Sequence, residues 1–423
     1  MPHPFVVILG KSVRYAMRLR GGGSALPGLF VEKISPDFIK QTLAQLPQGV
    51  VIISGTNGKT TTTKMVVELL ESQGLKVFTN RTGSNFSRGV AAALLGDIDI
   101  RGKLHADIAV LEMDEAHAVK FVQTIPPRYS LLLNVMRDQL DRFGEIDATA
   151  KMLEKIAQAT TDTVVLNRED SRVLAIKDKL GDQKVTYFGL SSDLLSHFPA
   201  DDDLHSTKIK RSTKRPDANV ILKSYSGSQA TYTIDGKDTS LDLKLRGVYN
   251  VFNSAAALSL VYAILGKELD TTTLLAAMSN VTPAFGRGEQ LEVGGQPLEL
   301  VLVKNPSGFR LSLDSFPSEG YATMIAINDN YADGRDMSWL WDVDFTSLSG
   351  GVAAISGVRA YDMALRLQYD EVPIGTIEPE LALALRDFIE ANKDLPKRIY
   401  CTYTAMLTLR RELSKMTKVE SIS

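Results

Sequence analysis

Cysteine is almost absent from this chain: Cys401 stands alone in 423 residues, which excludes an intrachain disulfide and any zinc site built on cysteine. Histidine is scarce as well. His3, His105, His117, His197 and His205 are scattered without metal-ligand spacing, and each reads as a structural or surface residue. Charge of one sign is not in excess, with 48 Lys plus Arg against 50 Asp plus Glu, so no global field points to nucleic acid or an acidic polymer as a partner. No stretch approaches the ~20 apolar residues of a membrane span. The opening "MPHPFVVILGKSVRYAMRLRGGG" puts its basic residues after its short apolar run, the reverse of a secretory signal, so a cytoplasmic protein is expected. In that opening Lys11, Arg14, Arg18 and Arg20 alternate with Val13, Tyr15, Met17 and Leu19. The pattern is open to two readings: a helix docked on the body of the protein, or a segment lying peripherally on the anionic inner face of a membrane.

What the chain has is length and apolar content for two domains, 423 residues of which 44% are apolar. "GVVIISG" (49–55) is a β-branched run stopped by glycine, hence a buried strand, and "KTTTTKMVVELLESQG" after it places Met65, Val66, Leu69 and Leu70 on one helical face. Further strands are read at 76–80, 108–113 and 129–135, alternating with helices, which predicts a parallel sheet covered on both faces. Residues 191–244 change texture, polar at first and alternating later, and read as an insertion ending in a small antiparallel element. "PAFGRGEQ" (283–290) reads as a glycine-broken hinge. Beyond it strands and helices alternate again, which gives a second α/β domain to the end of the chain.

Between the first strand and first long helix lies "SGTNGKTT". Gly55 and Gly58 permit a tight turn in which the amides of Thr56, Asn57, Gly58 and Thr61 can face one anion at a helix start; Lys59 would reach terminal phosphates and the Thr60 hydroxyl would bind Mg²⁺. The general phosphate loop has four residues between its first glycine and the Gly-Lys pair, whereas Gly55 leaves two, so this is a variant. ATP is the expected occupant, and nothing in the loop separates it from GTP.

"VVIISGTNGKTTT" resembles the ATP loop of the Mur ligase superfamily, which includes folylpolyglutamate synthetase and joins carboxylates to amines through acyl phosphates. "VLEMDEA", "LLLNVMRDQLDRFGEID", "VVLNRED", "LRGVYNVFNSAAAL" and "AFGRGEQ" agree in the same order. "GGGSALPG", "LVKNPSGF", "INDNYADGRDMSWLWD" and "SGVRAYDMALRLQYDEV" are similar, more narrowly, to the MurT-type ligase subunits that amidate lipid II. The resemblance implies an α/β protein with an N-terminal segment (1–48), a Mur-ligase central ATP-binding domain with a parallel sheet (49–287) and a C-terminal Rossmann-like α/β domain (288–423). It implies a carbon–nitrogen ligase that converts the D-glutamate α-carboxyl of lipid II to D-isoglutamine, with ATP and Mg²⁺ as cofactors. Many such subunits carry a four-cysteine zinc ribbon; residues 191–244 hold no cysteine, so no zinc is expected.

By the same resemblance Glu112 is the Mg²⁺ glutamate, Asp114 and Glu115 are helpers, Asn250 and Asn253 approach the adenine nucleotide or else cap a helix, and Arg287 reaches phosphate. Asp138, Asp141 and Arg142 follow a buried strand, at the edge where open α/β sheets bind ligands. Gln139 replaces the histidine of many Mur ligases, and Lys151 and Lys155 miss the spacing of their carbamylated lysine. The nitrogen source is expected to be a GatD-type glutaminase in a heterodimer. A glutaminase needs a reactive cysteine and a histidine base, and Cys401 sits in an apolar strand with no histidine near it in sequence. An aspartate of the C-terminal domain would complete the partner's triad: Asp336 first, Asp333 second, with Asp342 also open. Trp339 and Trp341 read as core or as a partner-facing anchor. Two other functions stay open, an amino-acid ligase of the same chemistry and a nucleotide-binding scaffold without turnover.

Overall fold

The computed structural model describes residues 2–19, 26–80, 86–136, 146–198, 215–245, 247–282, 287–316 and 318–419. In the first part of the chain the strands are β1 (Val50–Ser54), β2 (Val77–Thr79), β3 (Ile108–Glu112), β4 (Tyr129–Leu132), β5 (Thr163–Asn167), β6 (Lys184–Leu190), β7 (Val220–Ser226), β8 (Gln229–Ile234) and β9 (Lys237–Asp242). Among the described residues they form one sheet in the order β2-β3-β1-β4-β5-β6-β7-β8-β9. Pairing is parallel from β2 to β7 and antiparallel over β7 to β9. The helices are α1 (Pro4–Leu19), α2 (Leu26–Ile34), α3 (Phe38–Leu43), α4 (Lys59–Ser72), α5 (Ser87–Asp97), α6 (Glu115–Thr124), α7 (Ile146–Ala159), α8 (Ser171–Ala175), α9 (Val248–Leu265) and α10 (Thr271–Asn280).

Every residue of β1 is buried, and alternate side chains serve opposite layers. Val51 and Ile53 join Met65 and Leu69 of α4 and Leu258 of α9, whereas Val50 and Ile52 join Phe38 of α3, Leu94 of α5 and Phe121 of α6. This two-sided core is why the strand reads as an unbroken apolar run. β1 has β3 on one side and β4 on the other, so chain order reverses there, the position at which open α/β sheets make a crevice for ligands.

The second sheet comprises β10 (Arg287–Val293), β11 (Gln296–Leu302), β12 (Ala322–Ala326), β13 (Val352–Ser356), β14 (Ile374–Ile377) and β15 (Lys397–Cys401), in the order β10-β11-β15-β12-β13-β14. Only β10 runs antiparallel. Its helices are α11 (Pro306–Ser315), α12 (Ala360–Tyr369), α13 (Leu381–Ala391) and α14 (Tyr403–Leu413). Phe309, Phe345 and Tyr400 pack on one face, and Phe388, Cys401 and Met406 on the other.

Two sequence expectations change and one is extended. The hinge at 283–290 is in part strand: residues 283–286 lie outside the described residues, but Arg287 to Gln290 pair with β11, and Gly288 falls in the register shift between Arg287 and Glu289, where a bulge suits glycine. The antiparallel element expected at the end of the insertion is β7–β9, and β7 also pairs in parallel with β6, so the element extends the main sheet. Tyr249–Glu268 is, against expectation, long and apolar enough to cross a membrane by length and composition, yet 56% of that stretch is buried in the protein. Its apolarity comes from α9 being packed against both the sheet and α4, with Ala255, Ala256, Leu258 and Val261 fully buried.

Candidate active site

The loop between β1 and α4 sits where β1 and β4 deliver their carboxyl ends together. Gly55 (φ +135°) and Gly58 (φ +89°) hold left-handed backbone conformations, and a Cβ on Gly58 would come within 2.7 Å of Asn253 Oδ1. Asn253 of α9 is thus packed onto the loop. Asn250, one turn earlier on the same helix, is half-buried and donates its N–H to the Gly247 carbonyl. The N-cap of α9 itself is Gly247, and Asn253 reaches Gly58, the N-cap of α4.

Asn134, just past β4, grips the loop from the other side. Its Oδ1 accepts from the Asn57 N–H (2.8 Å) and its Nδ2 donates to the Asn57 carbonyl (3.0 Å), while the Thr56 N–H donates to the Asn134 carbonyl (3.0 Å). The Thr56 hydroxyl exchanges bonds with the backbone of Met136. The loop is therefore fixed by its protein neighbours, which removes ordering cost from anion binding.

Lys59, 8% exposed, folds back over the loop, donating to the carbonyls of Gly55 and Thr56 and pairing with Glu115 Oε1 at 3.3 Å. The Thr60 hydroxyl donates to Glu112 Oε1 at 2.9 Å. Glu112 is the last residue of β3, and Asn80 beyond β2 holds its backbone through two bonds, Nδ2 to the Glu112 carbonyl (2.8 Å) and Glu112 N–H to Oδ1 (3.0 Å). Asp114 stands one residue before α6. Burial, and then the neighbouring Glu115, push its carboxyl above the ordinary aspartate range, against the pull of Lys59, Lys304 and His117. The start of α4 thus carries a cation, a hydroxyl and three carboxyls within one crevice, over a helix N-terminus suited to anions.

The second sheet reaches this crevice through Asn305. It caps α11, its Oδ1 accepting from the Gly308 N–H (2.7 Å), and its Nδ2 donates to Asn57 Oδ1 of the loop (3.2 Å). Sequence reasoning gave no role to Asn134, Asn305 or Asn80. The Asn-Pro pair before a helix is a cap signal. The link from Asn57 to Asn305, however, spans 248 positions and leaves no local trace.

The structure brings together Gly55, Thr56, Asn57, Gly58, Lys59, Thr60, Thr61, Glu112, Asp114, Glu115 and Asn253. It does not bring the aspartates of the second sheet to them. Asp138, Gln139, Asp141 and Arg142 lie outside the described residues, as does the side chain of Arg287, which opens β10.

The aspartates past β12 separate by environment. Asp333 is buried, and its carboxylate accepts from the Thr404 N–H (2.7 Å), the Thr404 hydroxyl (2.5 Å) and the Asn330 N–H (3.1 Å). Burial still lifts it above its ordinary range. Asp336 is half-buried and accepts from the Ser338 N–H (2.9 Å); its bonds to Ser338 hold it below that range. Asp342 closes the short 3-10 turn at Ser338–Asp342. Trp339 is core, and Trp341 is half exposed against Tyr369 (rings 5.0 Å apart). Cys401 is fully buried, and burial drives its thiol pKa far up, which blunts it as a nucleophile.

A family profile described as "Mur ligase middle domain" matches residues 53–261, and one described as "MurT ligase C-terminal" matches residues 302–406. The chain is 31% identical, over 96% of both proteins, to "Lipid II isoglutaminyl synthase (glutamine-hydrolyzing) subunit MurT" of Streptococcus pneumoniae. It is 29% identical to the Staphylococcus aureus protein of the same name, over 87% of this chain and 88% of that one. In fold it is similar to the MurF ligase from Thermotoga maritima solved in complex with ADP, with a TM-score of 0.67 at 16% identity, over 90% of this chain and 84% of that one. With a Mur-ligase fold, a Gly-Lys-Thr loop facing Glu112, and likeness along nearly its whole length, the chain belongs to the MurT family of lipid II isoglutaminyl synthase ligase subunits.

Proposed function

We propose that this subunit uses ATP to convert the D-glutamate α-carboxyl of lipid II into an acyl phosphate, which ammonia from a GatD-type glutaminase then converts into D-isoglutamine. The observation that carries the reading is the convergence of Lys59, Thr60 and Glu112 at the start of α4, with Asn305 arriving from the second sheet. ATP would lie along the loop with its phosphates on the amides of residues 56–61. Arg287 is the further phosphate ligand by resemblance, and Asn250 and Asn253 approach the adenine.

The donor set suits Mg²⁺: a hydroxyl and a carboxylate oxygen already 2.9 Å apart are hard ligands, and this ion commonly takes one or two protein oxygens beside substrate phosphates. When bound there it would neutralise phosphate charge.

In the first step a carboxylate oxygen attacks the γ-phosphorus and ADP leaves. Lys59 would turn from its loop carbonyls to the phosphate oxygens and offset the charge that builds on them. In the second, ammonia attacks the acyl carbon, loses a proton and expels phosphate. Positioning is the main catalytic demand, which suits a loop held on both sides.

Two features support an external nitrogen source. Cys401 is buried away from any role as a nucleophile, and Asp336 offers an accessible carboxylate on a loop at the carboxyl edge of the second sheet. β12, which leads to that loop, lies two strands from β11, about 10 Å away at ordinary strand spacing. Around it the exposed Tyr331, Trp341, Tyr361, Leu365 and Tyr369 supply an aromatic surface of the composition partner interfaces favour.

The test is phosphate release by the purified complex. With lipid II and ATP, release is expected on adding ammonium or glutamine and not on adding amino acids, and Lys59→Ala should lower it by about 10³-fold. Release driven by an amino acid alone would replace this reading with an amino-acid ligase.

A further inference from the structure

Among the described residues, helix α1 is held by one face. Val7 and Gly10 are buried, with the α-carbon of Gly10 lying against Val31 of α2 and Leu95 of α5, and Lys11 Nζ donates to the Leu95 carbonyl (2.9 Å). On the other side Phe5, Ile8, Ser12, Tyr15 and Ala16 are all exposed, with Phe5 at 65%, Ile8 at 54% and Tyr15 at 67%. At 100° per residue these five positions fall within a stripe about 100° wide. Large apolar side chains aligned on the outer face of an anchored helix are not accounted for by the fold, which already has its seam with α2 and α5.

The first 31 residues contain no Asp or Glu, while Lys11, Arg14, Arg18 and Arg20 are basic. Asp97 and Asp99, at the end of α5, offset Lys11 in part. Lys11 and Arg14 are half-buried on the side toward α5, where the Arg14 guanidinium lies over Gly96, and the side chain of Arg18 and all of Arg20 lie outside the described residues; the positive charge of this carboxylate-free segment thus flanks the apolar stripe, an arrangement suited to the interface of an anionic bilayer.

We infer that α1 is a membrane-docking helix that seats Phe5, Ile8 and Tyr15 in the headgroup region of an anionic bilayer while its inner face stays on α2 and α5. The inference rests on the proposed function for its purpose, because a lipid-borne substrate is confined to the bilayer surface, but its test does not. Docking would raise the encounter rate by restricting the search to two dimensions. Binding is expected to be weak and reversible, since three side chains and little net charge do not anchor a protein permanently.

The experiment is flotation of the full-length protein, with its partner subunit where needed, on vesicles of phosphatidylglycerol and phosphatidylethanolamine and on vesicles of phosphatidylcholine. The wild type should float with the anionic vesicles, and Phe5→Ser/Ile8→Ser should lower the bound fraction at least tenfold while leaving the melting temperature unchanged. In parallel, amidation of detergent-solubilised lipid II should be equal for wild type and variant, whereas amidation of vesicle-borne lipid II should fall for the variant. Failure of the wild type to float, or equal flotation by the variant, overturns the inference whatever the enzyme assay shows. A self-association detected in solution and abolished by the same substitutions would assign the stripe to a second copy of the chain and also overturn it. If the protein floats as expected but shows no turnover in detergent, it is the functional reading that falls.

Discussion

Asp333 and Asp336, three positions apart on one loop, have opposite fates. The first spends its acceptor capacity on Thr404 and Asn330 and ties that loop to α14; the second keeps an accessible carboxylate. Asp336→Asn is therefore expected to abolish glutamine-driven amidation and spare the ammonium-driven rate, read by product formation with each nitrogen source. Asp333→Asn should instead cost about 1–3 kcal/mol in denaturant unfolding, because an amide nitrogen meets a donor where an oxygen accepted. Equal loss with both nitrogen sources in Asp336→Asn would remove it from the proposed triad. Asp114 makes a pH prediction. Its folded pKa lies above its unfolded one, so the folded state holds more protons across that window and stability falls as pH rises from about 4. Asp114→Asn should flatten this part of the stability curve and raise the midpoint of nucleotide-free unfolding at neutral pH. A wild-type curve no steeper than that of the variant would contradict the assigned burial.

At the scale of elements, α4 and α11 are joined nose to nose, since the loop that starts one is bonded to the residue that caps the other. Asn305→Ala removes the cap, costing about 1 kcal/mol of stability, and also cuts the tie to Asn57. Its kinetic signature should exceed its stability effect: a fall in kcat/KM for ATP of about tenfold or more, measured in a protein that still melts cooperatively. An unchanged kcat/KM would reduce Asn305 to a helix cap.

How much of this was legible follows from the range of each interaction. β1, the glycine loop and α4 are contiguous, so residues 49–72 show strand, turn and amphipathic helix in one reading, and the loop residues Gly55 to Thr61 with them. Glu112 is visible as a carboxyl at the end of an apolar strand, but only resemblance brings it to Thr60. The clamp by Asn134, the hold of Asn80 on Glu112 and the bridge from Asn57 to Asn305 depend on strand order, which no local pattern encodes. The membrane-like composition of α9 misleads in the same way: a helix buried on most sides and a helix in lipid are both apolar all round, and only the neighbours tell them apart.

For the whole molecule, the exposed aromatic side chains beside the second sheet are the surface on which the proposed glutaminase subunit would sit. Tyr361, Leu365 and Tyr369 are spaced four apart on α12, and Trp341 packs edge-on against Tyr369. Tyr361→Ser/Tyr369→Ser should weaken association with the glutaminase subunit at least tenfold, measured by titration calorimetry, and leave ammonium-driven turnover intact because neither residue approaches the phosphate loop. Undiminished affinity would place the partner elsewhere.

The three-stranded apron β7–β9 closes the far rim of the first sheet, several strands from β1, and is sewn on by Val220, Leu222, Tyr232 and Ile234 beneath α9. Its outermost strand, "KDTSLD", exposes Lys237, Asp238, Ser240 and Asp242 and buries Leu241, and those polar side chains discourage a stranger from pairing with it. Among the described residues, none of those gathered around the β1–α4 loop lies on it. For the experimenter its exposed Asp235-Gly236 turn is the natural address for a fluorophore or affinity handle.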